Sequence, residues 1–129
     1  MIVVDCAAVV DTLTLVDGSE ELRATLAANQ LNAPALLDVE FVAALRGLTL
    51  RGSLAVDRAL DALSDFDDLP IRRWASGVAL RRRAFQLRDN VSAYDAAYVV
   101  LAEALDCPLV TRDLRLARAC AHLVEVVVR

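Results

Sequence analysis

Lysine is absent from this chain, because all 14 basic residues are arginine. A P-loop, a phospho-acceptor receiver domain and Schiff-base chemistry each require a lysine, so these classes are excluded. Histidine occurs once, at His122, which excludes histidine-based metal sites and weakens any serine or cysteine nucleophile hypothesis. Carboxylates are therefore the main candidates for catalytic or metal-binding groups.

Cysteines are few, and long apolar segments are absent. Cys6, Cys107 and Cys120 are too few and too scattered for a disulfide framework or a zinc site, and their apolar surroundings predict free thiols. No apolar run approaches the roughly 18 residues of a membrane span. The first five residues lack the basic region of a signal peptide. We therefore expect a soluble, cytoplasmic protein that does not engage a membrane.

The charge and size of the chain limit its function further. A net charge of −4 argues against a protein that coats nucleic acid nonspecifically, but not against an enzyme that holds a metal with acids. With 129 residues, of which 57% are hydrophobic, the chain is expected to form one domain over residues 1–129.

Short β-rich runs alternate with longer runs of helical periodicity along the chain. This alternation predicts a parallel sheet with helices on both faces, that is, a three-layer α/β/α sandwich. Pro34 is expected to open the third helix, and Ser19, Ser53 and Ser92 to cap the second, fourth and sixth. The five strands are predicted at 2–4, 31–33, 69–72, 107–111 and 124–128, and the helices at 6–15, 19–28, 34–51, 53–66, 75–88, 93–105 and 114–121.

Two acids stand at the carboxyl ends of predicted strands. Asp5 ends the first buried run, and Asp113 follows the fourth strand. Ligands of open α/β sheets bind outside the carboxyl ends of the strands, so both carboxylates are candidates for a site there. Each could alternatively cap the helix that follows it.

Two further acids lie on strongly apolar helices. Glu40 has apolar residues one turn away on either side, and a lone buried carboxylate is costly unless it is paired, protonated or bound to a cation. Its alternative role is an ion pair with Arg46 or Arg51. Asp95 stands in the first turn of the most apolar helix, where its alternative role is a favourable interaction with the helix dipole.

Together these four acids form a layout suited to a hard cation that prefers oxygen ligands. Magnesium binds carboxylates and waters without needing histidine or cysteine, and one or two ions would relieve the repulsion among the acids. Such a metal can activate a water and stabilise a leaving oxygen. The pattern therefore points to metal-assisted hydrolysis of phosphodiesters.

Four segments spread over nearly the whole chain carry a family resemblance: Ile2–Asp5, Glu40, Ser92–Ala96 and Leu109–Asp113. In order and spacing the chain resembles the PIN-domain family, specifically VapC-type toxins of toxin–antitoxin pairs. The resemblance implies a five-stranded parallel sheet in which the first and fourth strands are neighbours. It also implies a Mg²⁺-dependent endoribonuclease, with Mn²⁺ as a substitute, and three partners: an RNA substrate, a VapB-like antitoxin and a second copy of the chain.

Carried over by residue, Asp5, Glu40, Asp95 and Asp113 match the family's acidic quartet, a name kept here for these four residues. Thr111 matches a supporting hydroxyl. The chain departs from the pattern after Asp5, where Cys6 and Ala7 replace the frequent serine or threonine. This departure keeps open a second function, a catalytically weak PIN-like domain that serves mainly to bind its antitoxin. A haloacid-dehalogenase-type phosphatase is set aside, since it needs an aspartate where Ala7 stands.

The remaining expectations concern arginines and partner surfaces. Arg112 and Arg115 flank Asp113 and are candidates for binding RNA phosphates. Residues 81–83 are three consecutive arginines that fan across about 200° of a helix, so a solvated face is expected there. Surplus apolar surface marks interaction sites. The candidates for antitoxin docking are two apolar stripes, formed by Val9, Val10 and Leu13 and by Leu60 and Leu63.

Overall fold

The computed structural model describes residues 1–129 and contains five strands and seven helices. The order is β1 (Ile2–Val4), α1 (Cys6–Leu13), α2 (Glu20–Ala27), β2 (Leu31–Pro34), α3 (Leu37–Leu50), α4 (Val56–Asp68), β3 (Ile71–Trp74), α5 (Val78–Gln86), α6 (Ala93–Leu105), β4 (Leu109–Thr111), α7 (Leu114–Cys120) and β5 (Val126–Val128).

All five strands are parallel and lie in the order β3-β2-β1-β4-β5. The expected adjacency of β1 and β4 is confirmed, with Val3 opposite Leu109 and Val4 opposite Val110. The chain leaves β1 towards β2 on one side and later returns to β4 on the other. The junction between β1 and β4 is therefore the topological switch point of the sheet.

The helices cover both faces of this sheet. Parallel crossovers are almost always right-handed. Connections running from β1 to β3 therefore carry α1–α4 over one face, and those running from β3 to β5 carry α5–α7 over the other. The contacts agree, because α1 packs on α2, α3 and α4 while α6 packs on α5, β1, β2 and β4. The three-layer α/β/α architecture is confirmed.

The core lies on the central strands and on α6. Val3, Val4, Leu109 and Val110 have no solvent exposure, because both faces of β1 and β4 are covered by helices. Residues 98–102 of α6 are all buried, which explains why that helix is apolar almost all round. No helix combines the length and the apolar character needed to cross a membrane.

Two local predictions at helix starts were wrong. Pro34 ends β2 instead of opening α3, and it pairs with Trp74 of β3. β1 pairs only with the first two residues of β2, so the missing N–H of Pro34 costs no sheet hydrogen bond. Ser53 does not cap α4, which begins at Val56, because Ser53 follows Gly52 in a turn with a positive φ.

The capping prediction for α6 was right, whereas that for α2 was only partly so. The Ser92 hydroxyl accepts a hydrogen bond from the backbone N–H of Asp95 at 3.1 Å. Ser19 occupies the N-cap position of α2, but its side chain makes no cap hydrogen bond. It donates to the carbonyl of Val16 and accepts from Arg23 instead.

Candidate active site

Asp5 lies where β1 ends at the switch point, and its side chain is only 6% exposed. One carboxylate oxygen accepts the backbone N–H of Ala8 at 2.9 Å and thereby caps α1. The other oxygen accepts the hydroxyl of Thr111. The alternative capping role is thus real, yet it leaves lone pairs on both oxygens free for another ligand.

Thr111 links the ends of the two central strands. The register of β1 and β4 brings Thr111 beside Asp5, and the Thr111 oxygen also accepts the backbone N–H of Asp113 at 3.0 Å. Asp113 in turn caps α7, because one of its oxygens accepts the N–H groups of Arg115 and Leu116. The structure therefore brings Asp5 and Asp113 together through one buried hydroxyl.

Burial dominates the titration of Asp5. It raises the pKa of Asp5 from 3.8 to about 6, and the hydrogen bonds from Thr111 and Ala8 oppose that rise only in part. The nearby charges of Asp95 and Asp113 raise the pKa further. Asp95 and Asp113 are therefore close enough to disfavour the ionisation of Asp5.

Glu40 contacts a residue that the sequence did not single out. The hydroxyl of Tyr98, on α6, donates to Oε1 of Glu40 at 2.7 Å. Burial, followed by this hydrogen bond, raises the pKa of Tyr98, so the phenol stays protonated as a donor. The ion pair of Glu40 with Arg46 or Arg51 does not form. One available signal was the position of Tyr98, one helical turn after Asp95.

The charges of Glu40 and Asp5 both affect the thiol of Cys6, so the two acids lie near the same residue. Burial raises the pKa of its thiol to about 12, and the charges of Glu40 and Asp5 add to the rise. The thiol is therefore protonated at neutral pH and supplies no thiolate for a metal or a nucleophilic attack.

Asp95 borders a cleft of about 380 Å³ that also contains Arg88, Asp89 and Arg115. Its backbone is fixed at the start of α6 by the Ser92 cap, and its side chain is half-buried. Arg115 is exposed in this cleft and has no acidic partner. Of the two predicted phosphate-binding arginines, Arg115 is thus the available one.

Arg112, by contrast, already has a partner. Its guanidinium forms an ion pair with Asp11 at 3.1 Å and donates to the carbonyl of Gly18. Burial raises the pKa of Asp11, and Arg112 partly offsets that effect. The contacts of Arg112 therefore tie the chain after β4 to α1.

No basic side chain neutralises the acidic quartet. The molecule contains five ion pairs, and none involves Asp5, Glu40, Asp95 or Asp113. No three acidic, cysteine or histidine side chains converge closely enough to form a complete metal-binding cluster. The donor chemistry nevertheless fits Mg²⁺, which is commonly held by one or two carboxylates and completes its coordination with waters.

Comparison with known proteins decides the family. A family model described as the PIN domain matches residues 2–121. The chain belongs to the PIN-domain family.

Curated relatives and solved structures agree with this assignment. Over 117 residues this PIN domain is 44% identical to Ribonuclease VapC9 of Mycobacterium tuberculosis, covering 91% of the chain and 89% of the relative. It is 36% identical to Ribonuclease VapC12 of the same organism over 126 residues, covering 98% and 97%. The structure of VapBC2 from Rickettsia felis bound to a promoter DNA fragment has a TM-score of 0.69 at 14% identity, covering 99% of this chain and 98% of that one.

One predicted partner surface of this PIN domain is absent. Val9 and Val10 are buried in the core, so the apolar stripe of α1 is not available to an antitoxin. Helical spacing alone could not show that both sides of α1 are covered, since α2, α3 and α4 all pack on it. On α4, Leu60 is exposed, whereas Leu63 packs partly against the core.

The first prediction concerns the charge on Asp5. In EDTA, Asp5→Asn is expected to raise the free energy of unfolding at pH 7.5 by about 1–3 kcal/mol, because an uncharged amide avoids the cost of a buried carboxylate. The folded pKa lies above the unfolded one, so the gain is full above about pH 6 and fades towards pH 4. Urea denaturation across this range measures it.

Asp61→Asn is the matched control, because Asp61 is exposed on α4. Its effect is expected to stay within about 0.5 kcal/mol at every pH. If Asp5→Asn destabilised the protein at pH 7.5 in EDTA, the cost of burying the Asp5 charge would be smaller than the stabilisation from its hydrogen bonds. That result would contradict the prediction.

Proposed function

We propose that this PIN domain is a Mg²⁺-dependent endoribonuclease that acts as the toxin of a VapBC-type toxin–antitoxin pair. The observation that carries the proposal is the buried carboxylate of Asp5 at the switch point, which has no basic partner and lies near the charges of Asp95 and Asp113. Relatives at 44% and 36% identity that are named VapC ribonucleases support the RNA-cleaving activity.

Asp5 and Asp95 are the residues we expect to hold the metal, with Asp113 and Glu40 as further carboxylates of the same site. Mn²⁺ is expected to substitute, because it also favours oxygen ligands. When bound, the ion supplies Lewis-acid polarisation of the phosphate and lowers the pKa of a water.

The other residues of the site position these acids. Thr111 holds the Asp5 carboxylate by a hydrogen bond, and Tyr98 holds Glu40 in the same way. Hydrogen bonds of this kind fix the orientation of ligands around a metal. Arg115 lies in the cleft of Asp95, where its guanidinium can contact a phosphate of the substrate.

The second prediction is that cleavage depends on a divalent ion. Protein freed of antitoxin is expected to cut single-stranded RNA in Mg²⁺, to lose that activity in excess EDTA, and to regain it with Mg²⁺ or Mn²⁺. Gel analysis of a labelled RNA measures the cleavage. Equal cleavage in EDTA would contradict the metal mechanism. If Mg²⁺ binds in calorimetry but no RNA is cut, the antitoxin-binding module without strong catalysis becomes the better description.

The third prediction uses two aspartates of one cleft. Asp95→Asn is expected to reduce cleavage at least about 100-fold without unfolding the protein, because the amide keeps the shape but not the charge. Asp89→Asn is the matched control, since Asp89 lines the same cleft but lies outside the acidic quartet. Equal losses in both variants would show that only the general charge of the cleft matters.

We also propose two protein partners, a VapB-like antitoxin and a second copy of the chain. The Rickettsia felis structural neighbour is VapBC2, which is bound to DNA from its promoter. Large apolar side chains are exposed on several helices of this chain, among them Val39, Val42 and Leu50 on α3. Exposed apolar groups of this kind are suited to protein interfaces.

The fourth prediction is a dimer in the absence of antitoxin. Light scattering at micromolar concentration is expected to give twice the mass of one chain. Val39→Asp combined with Val42→Asp is expected to shift the protein towards monomer if α3 contributes to the interface, because the charges would lose hydration there. A wild-type monomer at this concentration would refute the dimer.

A further inference from the structure

An apolar groove of about 450 Å³ lies between α5 and α6, and Trp74 at the end of β3 forms part of its wall. Its volume falls within the range of about 300–1,000 Å³ that is typical of sites for small organic groups. The groove shares Arg88, Val91 and Ser92 with the cleft that contains Asp95. The groove therefore lies beside the cleft that contains Asp95.

Two aromatic rings line the groove, and the exposed one, Phe85, is suited to stacking a base. Trp74 is held in place, because its indole N–H donates to Asn32 at 2.9 Å and the guanidinium of Arg72 lies 3.9 Å from its ring centre. Phe85 is 68% exposed, and the guanidinium of Arg88 lies 4.8 Å from its ring centre. Exposing a large ring to water is unfavourable unless a ligand covers it.

Arginine side chains surround these rings. Arg81 and Arg88 line the groove, and neither has an acidic partner in a chain whose net charge is −4. Arg81 donates to the backbone carbonyl of Ser76, which directs it without neutralising it. Arg83, by contrast, forms a bidentate ion pair with Glu103 at 2.7 and 3.0 Å. The prediction that these consecutive arginines form a solvated face was therefore wrong for Arg83.

We propose that this groove binds one or two unstacked bases of a single-stranded RNA, next to the bond that the acids cut. Aromatic rings stack bases of any sequence, and arginine guanidinium groups bind phosphates and stack on rings. Arg88 and the shared wall at Val91 and Ser92 connect the base site to Asp95. The proposal rests on the proposed ribonuclease function and names a substrate subsite for it.

The combination of groups favours RNA over a peptide. An apolar protein segment would need only the apolar walls of the groove. A nucleotide uses an aromatic face together with an unpaired arginine, and the groove supplies both at Phe85 and Arg88. The adjoining cleft contains two acids beside Arg88, which are Asp89 and Asp95.

The fifth prediction is a loss of RNA affinity when the groove is altered. Binding of a labelled, mixed-sequence single-stranded 12-mer RNA is measured by fluorescence anisotropy in EDTA, which prevents cleavage. Arg81→Glu with Arg88→Glu is expected to weaken binding at least about tenfold and to reduce the salt slope by about 1.4, the value for two phosphate contacts. Phe85→Leu is expected to weaken it about fivefold or more, because leucine keeps the apolar character but not the stacking face.

Arg51→Glu with Arg58→Glu is the matched control, because it makes the same charge change at two exposed, unpaired arginines outside the groove. It is expected to weaken binding about threefold or less. Thermal melts check that all variants fold. In Mg²⁺, Phe85→Leu is expected to raise KM and leave kcat nearly unchanged.

The outcomes separate the two proposals. If wild-type protein cuts RNA but the groove variants bind it like wild type, the groove proposal is wrong and the ribonuclease stands. If the variants lose RNA binding but no preparation cuts RNA, the groove is an RNA site and the nuclease proposal fails. If RNA affinity is unchanged and the dimer dissociates, the groove is a contact between copies, which overturns the proposal.

Discussion

A carboxylate that is buried without a basic partner is the constraint around which the candidate site is organised. Asp5 ends the central strand of a sheet that is covered on both faces, so burial penalises its charge. The protein offsets part of that cost with the hydroxyl of Thr111 and the backbone N–H of Ala8 in the first turn of α1. It does not supply an arginine, although the chain has 14 of them. The remaining charge is what a cation would satisfy.

The structural role of these acids is compatible with the chemical role proposed for them. Asp5 and Asp113 each cap the helix that follows them, and in doing so each carboxylate becomes fixed at the carboxyl end of a strand. Tyr98 holds Glu40 from the opposite layer. Groups that act on a phosphate need positions fixed by rigid elements. A helix cap is therefore a means of orienting the carboxylate and does not compete with a catalytic role.

Six of the 14 arginines form two groups with different consequences. Arg73, Arg83 and Arg112 form ion pairs with acids outside the acidic quartet and join separate elements of the fold. Arg81, Arg88 and Arg115 stay unpaired, and all three lie along the groove and the cleft beside Asp95. A chain with a net negative charge thus keeps a local positive surface next to its acids, which is the arrangement expected of a protein that contacts RNA locally.

The sequence by itself determined the α/β class and the five parallel strands, because hydrophobic periodicity is a local signal. It also singled out four acids as candidates, two after buried strands and two on apolar helices. Local reasoning failed at Pro34 and Ser53, where pairing between strands and a turn decided where the helices begin. Only the tertiary structure decided that Tyr98 meets Glu40, that Arg112 is paired whereas Arg115 is free, and that a groove lies beside the cleft of Asp95. Each of these depends on contacts between residues far apart in the chain, and hydrophobic periodicity does not reveal such contacts.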